Sequence, residues 1–413
     1  MRKIMACLDV GTDTIKCVVG EVVKKKLNIL ATSYAPSRGL KNGIVEDPNM
    51  LLEPLKDVIY KCEEIIGLKI KQMIVSVPAK DATFSVVEGS VNIESEGHMV
   101  VGKDVIRVLQ SAIRTKKDEN YEYISMMPTS FSLDDDRIVK DPKGLTTKVL
   151  SVRGVMVCAP KKNIYPIIAC LEKLDIDVVD IALSPIGDYF EFKNKELDKN
   201  IGVIINMGDE TTTVSVFNKG VLTNTKVITL GGRNIENDIS FIYKIPVSEA
   251  KKLKETFALA HKNLAQTGDC VEVINKSSEK IKINQYEISE VVMSRLNEIL
   301  NLTKKEINLL TKKEISYIIV TGGLTEFKDF RLILEEVYGN NITLASISEI
   351  GVRNNKYSSC VGLLKYYAYT AKLKDKDYSM FSIEEQQELS GVNLDSQNGS
   401  VIGKLFGYIF NGW

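Results

Sequence analysis

Two short stretches of the chain carry residue types that are suited to binding a phosphate group. They are 9–16 (DVGTDTIK) and 206–213 (NMGDETTT), and each has a short polar side chain, then a glycine, then hydroxyl residues. In such a turn, backbone amides and hydroxyls can point outward together as donors. Asp9 could hold a hydrated Mg²⁺, and Lys16 can reach phosphate oxygens from the following strand. Either turn alone is also typical of an ordinary hairpin.

The order of these stretches along the chain favours a nucleotide. Two strand-turn-strand units, 7–14 and 204–211, align as an internal repeat. Two such turns facing each other would hold a triphosphate from both sides. Strand 315–321 then ends in Gly322-Gly323, where the lack of side chains allows the backbone to approach a flat adenine closely. The three features together predict nucleotide binding.

Composition limits the class of protein. The 413 residues are 44% hydrophobic and 26% charged, which indicates two or three soluble globular domains with their own cores. Lys and Arg together number 54, as do Asp and Glu, so no overall basic charge attracts nucleic acid. The seven cysteines have no C-x-x-C motif, which fits a reducing compartment. We expect neither a secretion signal nor a membrane span.

The remaining pattern is that of a mixed α/β chain. Residues 4–34 are typical of a strand meander, and 51–67 of an amphipathic helix that ends at a glycine. Between 82 and 162 the pattern changes to alternating strands with one helix, which indicates an inserted α+β module. The opening pattern returns at 201–222, and the small-residue-led helix 359–370 closes the fold.

These motifs occur in the order typical of the actin, chaperone and sugar-kinase superfamily. They are LDVGTDTIK, INMGDETTTVSVF, IVTGG and VGLLKYY. Within that superfamily the chain most closely resembles the FtsA family, actin-like bacterial cell-division proteins that tie FtsZ filaments to the inner membrane. The resemblance covers residues 3–370 by motif order. It implies a two-lobed actin-like ATPase fold with an inserted α+β subdomain and a C-terminal amphipathic helix on a flexible linker.

The resemblance also implies a division of the chain into lobes. Lobe 1 comprises 1–82, 163–199 and the closing helix 359–375, with the inserted subdomain at 83–162. Lobe 2 comprises 200–237 with the second phosphate loop, an outer subdomain at 238–311 and the adenosine motif at 312–358. A linker follows at 376–399, and a membrane-targeting helix at 400–413. In the family, the FtsZ C-terminal tail docks on the subdomain that corresponds to 238–311.

ATP, with Mg²⁺, is the ligand that the resemblance implies. Asp9 would hold the metal through water, and no catalytic residue is assigned. The predicted nucleotide-binding residues are Asp9, Gly11, Thr12, Lys16, Asn206, Gly208, Thr211, Thr212, Lys254, Gly322 and Gly323.

The second loop departs from the family pattern D-x-G-G-G-T-T-D. Asn206 replaces an acid, and so does Thr213. Asn206 can still hydrogen-bond a metal-bound water but carries no charge. Asp209 and Glu210 replace glycines and would add negative charge where the phosphates should lie. Lys251 stands where relatives carry a ribose-facing Glu. Because the second loop has lost its acid, we expect slow or absent ATP turnover.

The end of the chain has an apolar helical face. Its members are Ile402, Leu405, Phe406, Ile409, Phe410 and Trp413. Their spacing is that of one side of a helix, with Lys404 and glycines opposite. A helix docked on its own domain would show the same pattern. The polar linker and the terminal tryptophan favour a membrane surface.

The sequence therefore predicts an actin-like, ATP-binding cell-division protein. Its expected partners are the FtsZ C-terminal tail, further copies of itself, the membrane surface and other division proteins. Its expected place is the cytoplasmic face of the cell membrane at the division site. The alternatives are a PilM-like pilus-assembly adaptor, which generally lacks such a tail, and a sugar-kinase-type phosphotransferase.

Overall fold

The computed structural model describes residues 3–24, 26–114 and 118–390. Lobe 1 begins with β1 (Lys3–Val10), β2 (Thr14–Val23), β3 (Lys26–Pro36), β4 (Leu40–Lys41), β5 (Ile44–Val45), α1 (Pro48–Ile66) and β6 (Gln72–Val77). An inserted unit follows with β7 (Thr83–Asn92), α2 (Gly102–Ala112), β8 (Tyr121–Ser132), β9 (Ile138–Val139) and β10 (Val149–Pro160). Lobe 1 resumes with α3 (Tyr165–Glu172), β11 (Asp177–Leu183) and α4 (Ser184–Phe192).

Lobe 2 has a central sheet and an outer, mostly helical part. Its elements are β12 (Ile201–Met207), β13 (Thr212–Asn218), β14 (Val221–Ile228), α5 (Gly232–Tyr243), α6 (Val247–Thr256), β15 (Cys270–Ile274), β16 (Lys280–Asn284), α7 (Gln285–Leu310), β17 (Tyr317–Thr321), α8 (Phe330–Tyr338) and β18 (Ile342–Leu344). The chain then returns to lobe 1 through α9 (Ser358–Leu373) and α10 (Ile383–Ser390). No helix of the described residues is both long enough and apolar enough to cross a bilayer.

The two lobes have sheets of the same topology, which confirms the predicted internal repeat. The strand order is β3-β2-β1-β6-β11 in lobe 1 and β14-β13-β12-β17-β18 in lobe 2. In each sheet the first three strands of the order are antiparallel and the last three are parallel. The parallel β1–β6 and β12–β17 pairs bring both phosphate turns to the carboxyl edge of a sheet, where open α/β sheets bind ligands.

The inserted unit has its own sheet and its own core, as the change in sequence pattern predicts. Its strand order is β7-β10-β8-β9, and α2 covers one face. Val105 and Val108 of α2 pack with Phe131 and Leu150 in a separate apolar cluster. The predicted inserted α+β subdomain is therefore confirmed.

Helices α4 and α9 of lobe 1 cross at very close range. A Cβ placed on Gly187 or on Gly362 would overlap the backbone of the other helix, so both positions require glycine. The sequences GD at 187–188 and SSCVG at 358–362 thus let two helices cross almost backbone to backbone.

The prediction that residues 376–399 form a linker is wrong for 376–390, which pack on lobe 1 and include a helix. The amide of Met380 donates to the carbonyl of Ile4 at 2.8 Å, and Met380 and Phe381 are buried against lobe 1. Helix α10 follows, and its Glu385 forms an ion pair with Lys71 at 3.0 Å. The composition is polar, but these two apolar side chains suffice to dock the segment. Residues 391–399 and the predicted membrane helix 400–413 lie outside the described residues.

A buried carboxylate between α4 and α9 gives the fold a pH dependence. Lys365 Nζ lies 3.0 Å from Glu191 Oε2 and 2.6 Å from Glu349 Oε1. Burial, with the charge of Glu349, raises the pKa of Glu191 to about 7 although Lys365 opposes the rise. Above pH 7 the folded protein bears the cost of this buried charge. As the pH falls through 7 toward the unfolded value, the folded state gains a proton and stability.

We therefore expect Glu191→Gln to be more stable than the wild type at pH 8, by up to about 3 kcal/mol. This advantage should shrink at pH 5.5, because the wild-type carboxyl is then already neutral in the folded state. Urea unfolding of both proteins at the two pH values measures the difference. A difference that does not change with pH would contradict the assignment to Glu191.

Candidate functional site

The two predicted phosphate turns have the same backbone geometry. The amide of Gly11 donates to the carbonyl of Thr14 at 3.1 Å, and the amide of Gly208 donates to that of Thr211 at 2.9 Å. Among the described residues, four amides at the tips of these turns donate to no protein acceptor: those of Thr12, Asp13, Asp209 and Glu210. Free amides in tight turns are donors for an anion, so the backbone fits phosphate at both turns.

A cation lies over the first turn. Lys16 stands directly opposite Asp9 across the β1–β2 pair, and its Nζ lies 2.9 Å from Asp9 Oδ2, with the two side chains only 10% and 14% exposed. A Cβ on Gly11 would lie 3.1 Å from this Nζ, so the glycine leaves room for the ammonium. The structure thus brings together the acid, the glycine and the lysine that the sequence analysis singled out.

The second turn lacks the equivalent cation. Thr213 pairs with Asn206 across β12 and β13 just as Lys16 pairs with Asp9. Asn206 Nδ2 instead donates to Asp188 Oδ2 of α4 at 2.8 Å. Burial, with a smaller contribution from the charge of Asp9, raises the pKa of Asp188 to about 6. Asp188 was not predicted as a site residue, because it is far from the motifs in sequence.

The expected repulsion between Asp209 and a phosphate is not supported by the structure. Arg233 at the start of α5 holds Asp209 Oδ2 through two nitrogens, at 3.0 and 3.2 Å. Glu236, one turn further along, lies 3.5 Å from Arg233 and 2.5 Å from Lys254 Nζ. These two acids and two bases form one neutral cluster, so the extra carboxylate is compensated within lobe 2.

Glu210 and Lys251 form contacts across the cleft instead of facing a ligand. Glu210 Oε2 accepts from the amide of Asn42 in the β4–β5 turn at 2.7 Å. Lys251 Nζ of α6 lies 2.5 Å from Asp13 Oδ1 in the first phosphate turn. Both contacts join lobe 2 to lobe 1. Lys251, which stands where relatives carry a ribose-facing Glu, is thus held in an ion pair with the first turn.

Two predicted nucleotide-binding side chains are held elsewhere. Thr212 is fully buried, and its hydroxyl donates to the carbonyl of Leu230 at 2.9 Å. The ammonium of Lys254 lies in the buried pair with Glu236. Both side chains therefore support the second turn and its neighbouring helices, and neither is free to contact a ligand.

The glycine pair after β17 has the open geometry that was expected. Gly322 has φ +100°, and a Cβ there would lie 2.5 Å from the carbonyl oxygen of Met207. The nearest atom to a Cβ on Gly323 would be Cβ of Lys356, at 3.7 Å. A side chain is thus excluded at the first glycine, and the second borders open space.

Lys356 is a second cation at this edge, which the motifs did not reveal. Its Nζ lies 3.7 Å from the centre of the Tyr34 ring. Burial lowers the pKa of Lys356, and the charge of Lys16 contributes to that shift. Two lysines from different elements therefore converge near the first turn, where a triphosphate would bring negative charge.

The residues near the first turn suit a metal ion that binds together with the phosphates of a nucleotide. Among the described residues, no group of three or more His, Cys, Asp and Glu side chains could hold a metal ion. Asp9 immediately precedes the first turn and pairs with Lys16, whereas Asp13 in the turn itself pairs with Lys251. Mg²⁺ keeps several waters and binds through one or two carboxylates plus substrate phosphates. The residues present fit that mode, with Asp9 acting through water.

Comparison with family models and with known proteins gives a consistent result. Residues 203–362 match the model "Cell division protein FtsA", and residues 80–158 match "SHS2 domain inserted in FTSA". The chain is 28% identical over 387 residues to cell division protein FtsA of Bacillus subtilis (strain 168), covering 93% of this chain and 88% of that protein. It is 27% identical to the Enterococcus faecalis protein of the same name, covering 87% and 82%.

Solved structures that resemble the chain share the actin-like fold. A chain of the PilM–PilN type IV pilus biogenesis complex aligns with a TM-score of 0.59 at 13% identity, covering 87% of this chain and 97% of that one. MreB5 of Spiroplasma citri bound to AMPPNP aligns with a TM-score of 0.55 at 12% identity, covering 90% and 97%. At such identities the likeness is one of fold alone.

Proposed function

Because the chain belongs to the FtsA family of actin-like cell-division proteins, we propose that it binds ATP in the cleft and links FtsZ to the cytoplasmic membrane. In this proposal the protein self-associates, docks the C-terminal tail of FtsZ on its outer subdomain, and lies on the membrane through residues 400–413. It acts as a scaffold at the division site more than as an enzyme. The observation that carries the proposal is the pair of equivalent turns with free amides at one cleft.

The nucleotide part rests on the donors at the cleft. Free amides in both turns and the ammonium of Lys16 supply donors for a triphosphate, and Gly322-Gly323 leaves room for a flat base. An MreB structure of the same fold is described as bound to AMPPNP, which supports this choice of ligand. Turnover is expected to be slow or absent because no acid stands at position 206 itself, where it could act on an attacking water. Brisk ATP hydrolysis by the wild type would refute that reasoning.

The FtsZ part is supported by an apolar surface on the outer subdomain. Phe241 at the end of α5 is 85% exposed, and Ile242 beside it is 52% exposed. The amide of Lys276 donates to the carbonyl of Lys244 at 2.8 Å, so the β15–β16 hairpin lies next to this helix end. A short peptide can bury such side chains at a groove between a helix and a hairpin.

We expect a labelled peptide that copies the FtsZ C-terminal tail to bind the full chain, and Phe241→Glu to weaken this binding about 10-fold or more. Burying a phenylalanine stabilises by about 1.5 to 3 kcal/mol, and a charge at this position would be desolvated. Ile138→Glu is the matched control, since Ile138 is 71% exposed on the inserted subdomain. Equal binding by the two variants, or no binding by the wild type, would contradict docking at this surface.

The membrane part rests on the sequence of 400–413, which lies outside the described residues. Its apolar face has the composition of an interfacial helix. The competing enzyme function, phosphotransfer to a sugar, gives no role to such a tail. ATP-dependent phosphorylation of any member of a sugar panel would favour the kinase over the scaffold.

A further inference from the structure

Asp188 is a fully buried carboxylate whose partners come from both lobes. Ser358 and Ser359 donate their hydroxyls to Asp188 Oδ1 at 2.6 and 2.8 Å, and Asn206 Nδ2 donates to Oδ2 at 2.8 Å. Its side chain is 0% exposed. Both carboxylate oxygens are thus engaged, and none of these three partners is a cation.

The start of α9 makes a buried charge tolerable at this point. Ser358 is the first residue of α9, so Asp188 lies at the positive end of a helix dipole. An uncompensated buried carboxylate is costly, and a neutral amide or hydroxyl could also hydrogen-bond Ser358 and Ser359. Support of the helix crossing alone therefore does not require an acid here.

The carboxylate fixes the orientation of the Asn206 amide. An ionised carboxylate only accepts, so the amide must present Nδ2 to Asp188. Its Oδ1 then faces the other way: a Cβ on Gly322 would lie 2.6 Å from that oxygen. The acceptor of Asn206 is thereby held on the side of the glycine pair.

We infer that Asp188 is a positioning residue for a metal-nucleotide complex, and that it supplies the negative charge absent from position 206. This inference rests on the proposed ATP binding. Asp188 holds Asn206 Oδ1 as an acceptor for a water of the divalent cation that the triphosphate carries. Its charge lies one hydrogen bond behind Asn206, in place of a carboxylate at the turn itself. The carboxylate thus stands on α4, in direct contact with the amide on β12.

An exchange of the two side chains tests this inference. The variants are Asp188→Asn, Asn206→Asp and the double variant with both changes, each in the full chain. ATP affinity is measured by titration with Mg²⁺ and again with EDTA, and urea unfolding reports the stability of each variant. Loss of a partner that orients a metal-binding group typically costs 10- to 100-fold in metal affinity.

Asp188→Asn is expected to reduce the Mg²⁺-dependent gain in ATP affinity about 10-fold. The ATP affinity measured in EDTA should change little. The double variant is expected to recover most of that gain, because it restores one carboxylate to the pair. Asn206→Asp alone places two carboxylates in contact and should be the least stable of the three. If Asp188→Asn does not fold, the ATP affinity of the double variant tests the inference, since that variant has one carboxylate and one amide, as the wild type does.

Suppose that the wild type binds ATP. The inference would then be overturned if Asp188→Asn kept the full Mg²⁺-dependent gain in ATP affinity, or if the double variant folded but lacked that gain. Failure of the wild type to bind ATP with or without Mg²⁺ would overturn the proposed nucleotide function and this inference with it. A stability loss without any change in the Mg²⁺ effect would assign Asp188 to the helix crossing alone.

Discussion

Lys16→Ala is expected to weaken ATP binding about 100-fold, and Asn206→Ala no more than about 10-fold. A hydrogen bond to a charged group contributes about 1.5 to 3 kcal/mol, against about 0.5 to 1.5 for a neutral pair, and each 1.4 kcal/mol is a factor of about ten. The loss of binding free energy in Lys16→Ala should lie at the upper end of the first range, because removal of the lysine also leaves Asp9 unpaired beside the triphosphate.

Calorimetric titration with ATP and excess Mg²⁺ measures both affinities. Lys61→Ala is the matched control: Lys61 also pairs with a carboxylate, Asp57, at 2.7 Å, but on the exposed surface of α1. Equal effects of Lys16→Ala and Asn206→Ala, or a larger effect of the latter, would refute the assignment of Lys16 to the phosphates.

Phe406→Glu is expected to release the protein from lipid vesicles, as deletion of 400–413 should. Six large apolar side chains at about 1.5 to 3 kcal/mol each give a gross gain of about 9 to 18 kcal/mol. Partial immersion and the ordering of a glycine-rich segment offset much of it. One tail should therefore bind weakly, and stable attachment should need several tails on one polymer, where later insertions are effectively intramolecular.

Membrane binding by residues 400–413 should depend very little on charge. Lys404 is the one cation of residues 400–413, so Lys404→Gln should change vesicle binding little. Vesicle pelleting at low and high salt measures both effects, and ATP titration shows whether Phe406→Glu leaves the cleft intact. Vesicle binding that survives the deletion, or that added salt abolishes, would rule out this helix as the anchor.

Local patterns predicted those parts of the fold that short-range chemistry determines. The glycine and hydroxyl spacing of the turns at 9–16 and 206–213 is a backbone requirement, and the structure shows both with the same amide-to-carbonyl bond. The inserted unit was visible because alternating strands replace the preceding pattern, and its own sheet follows from that.

Long-range pairings could not be predicted in this way. Asp209 appeared as an uncompensated charge because nothing near it in sequence indicates Arg233 as its partner. Lys251 and Asp13 meet only because two lobes face each other. The polar composition after α9 likewise gave no sign of Met380, which is buried and bonds to Ile4 of β1 near the other end of the sequence.

Asp188 shows the same limit at the candidate site. From the sequence alone, the absence of an acid at position 206 indicates a loss of negative charge from the second turn. The structure has a carboxylate 2.8 Å behind it, on a helix that no motif marks. Residue identity at a motif position therefore says less about local charge than the packing around it does.

Co-sedimentation of FtsZ filaments with lipid vesicles tests most directly whether this protein joins FtsZ to a membrane. FtsZ, vesicles and ATP are combined with the full chain, with the chain lacking 400–413, or with Phe241→Glu. We expect FtsZ to pellet with the vesicles only when the full wild-type chain is present. FtsZ that stays in the supernatant with the full chain, or that pellets equally with either variant, would contradict it.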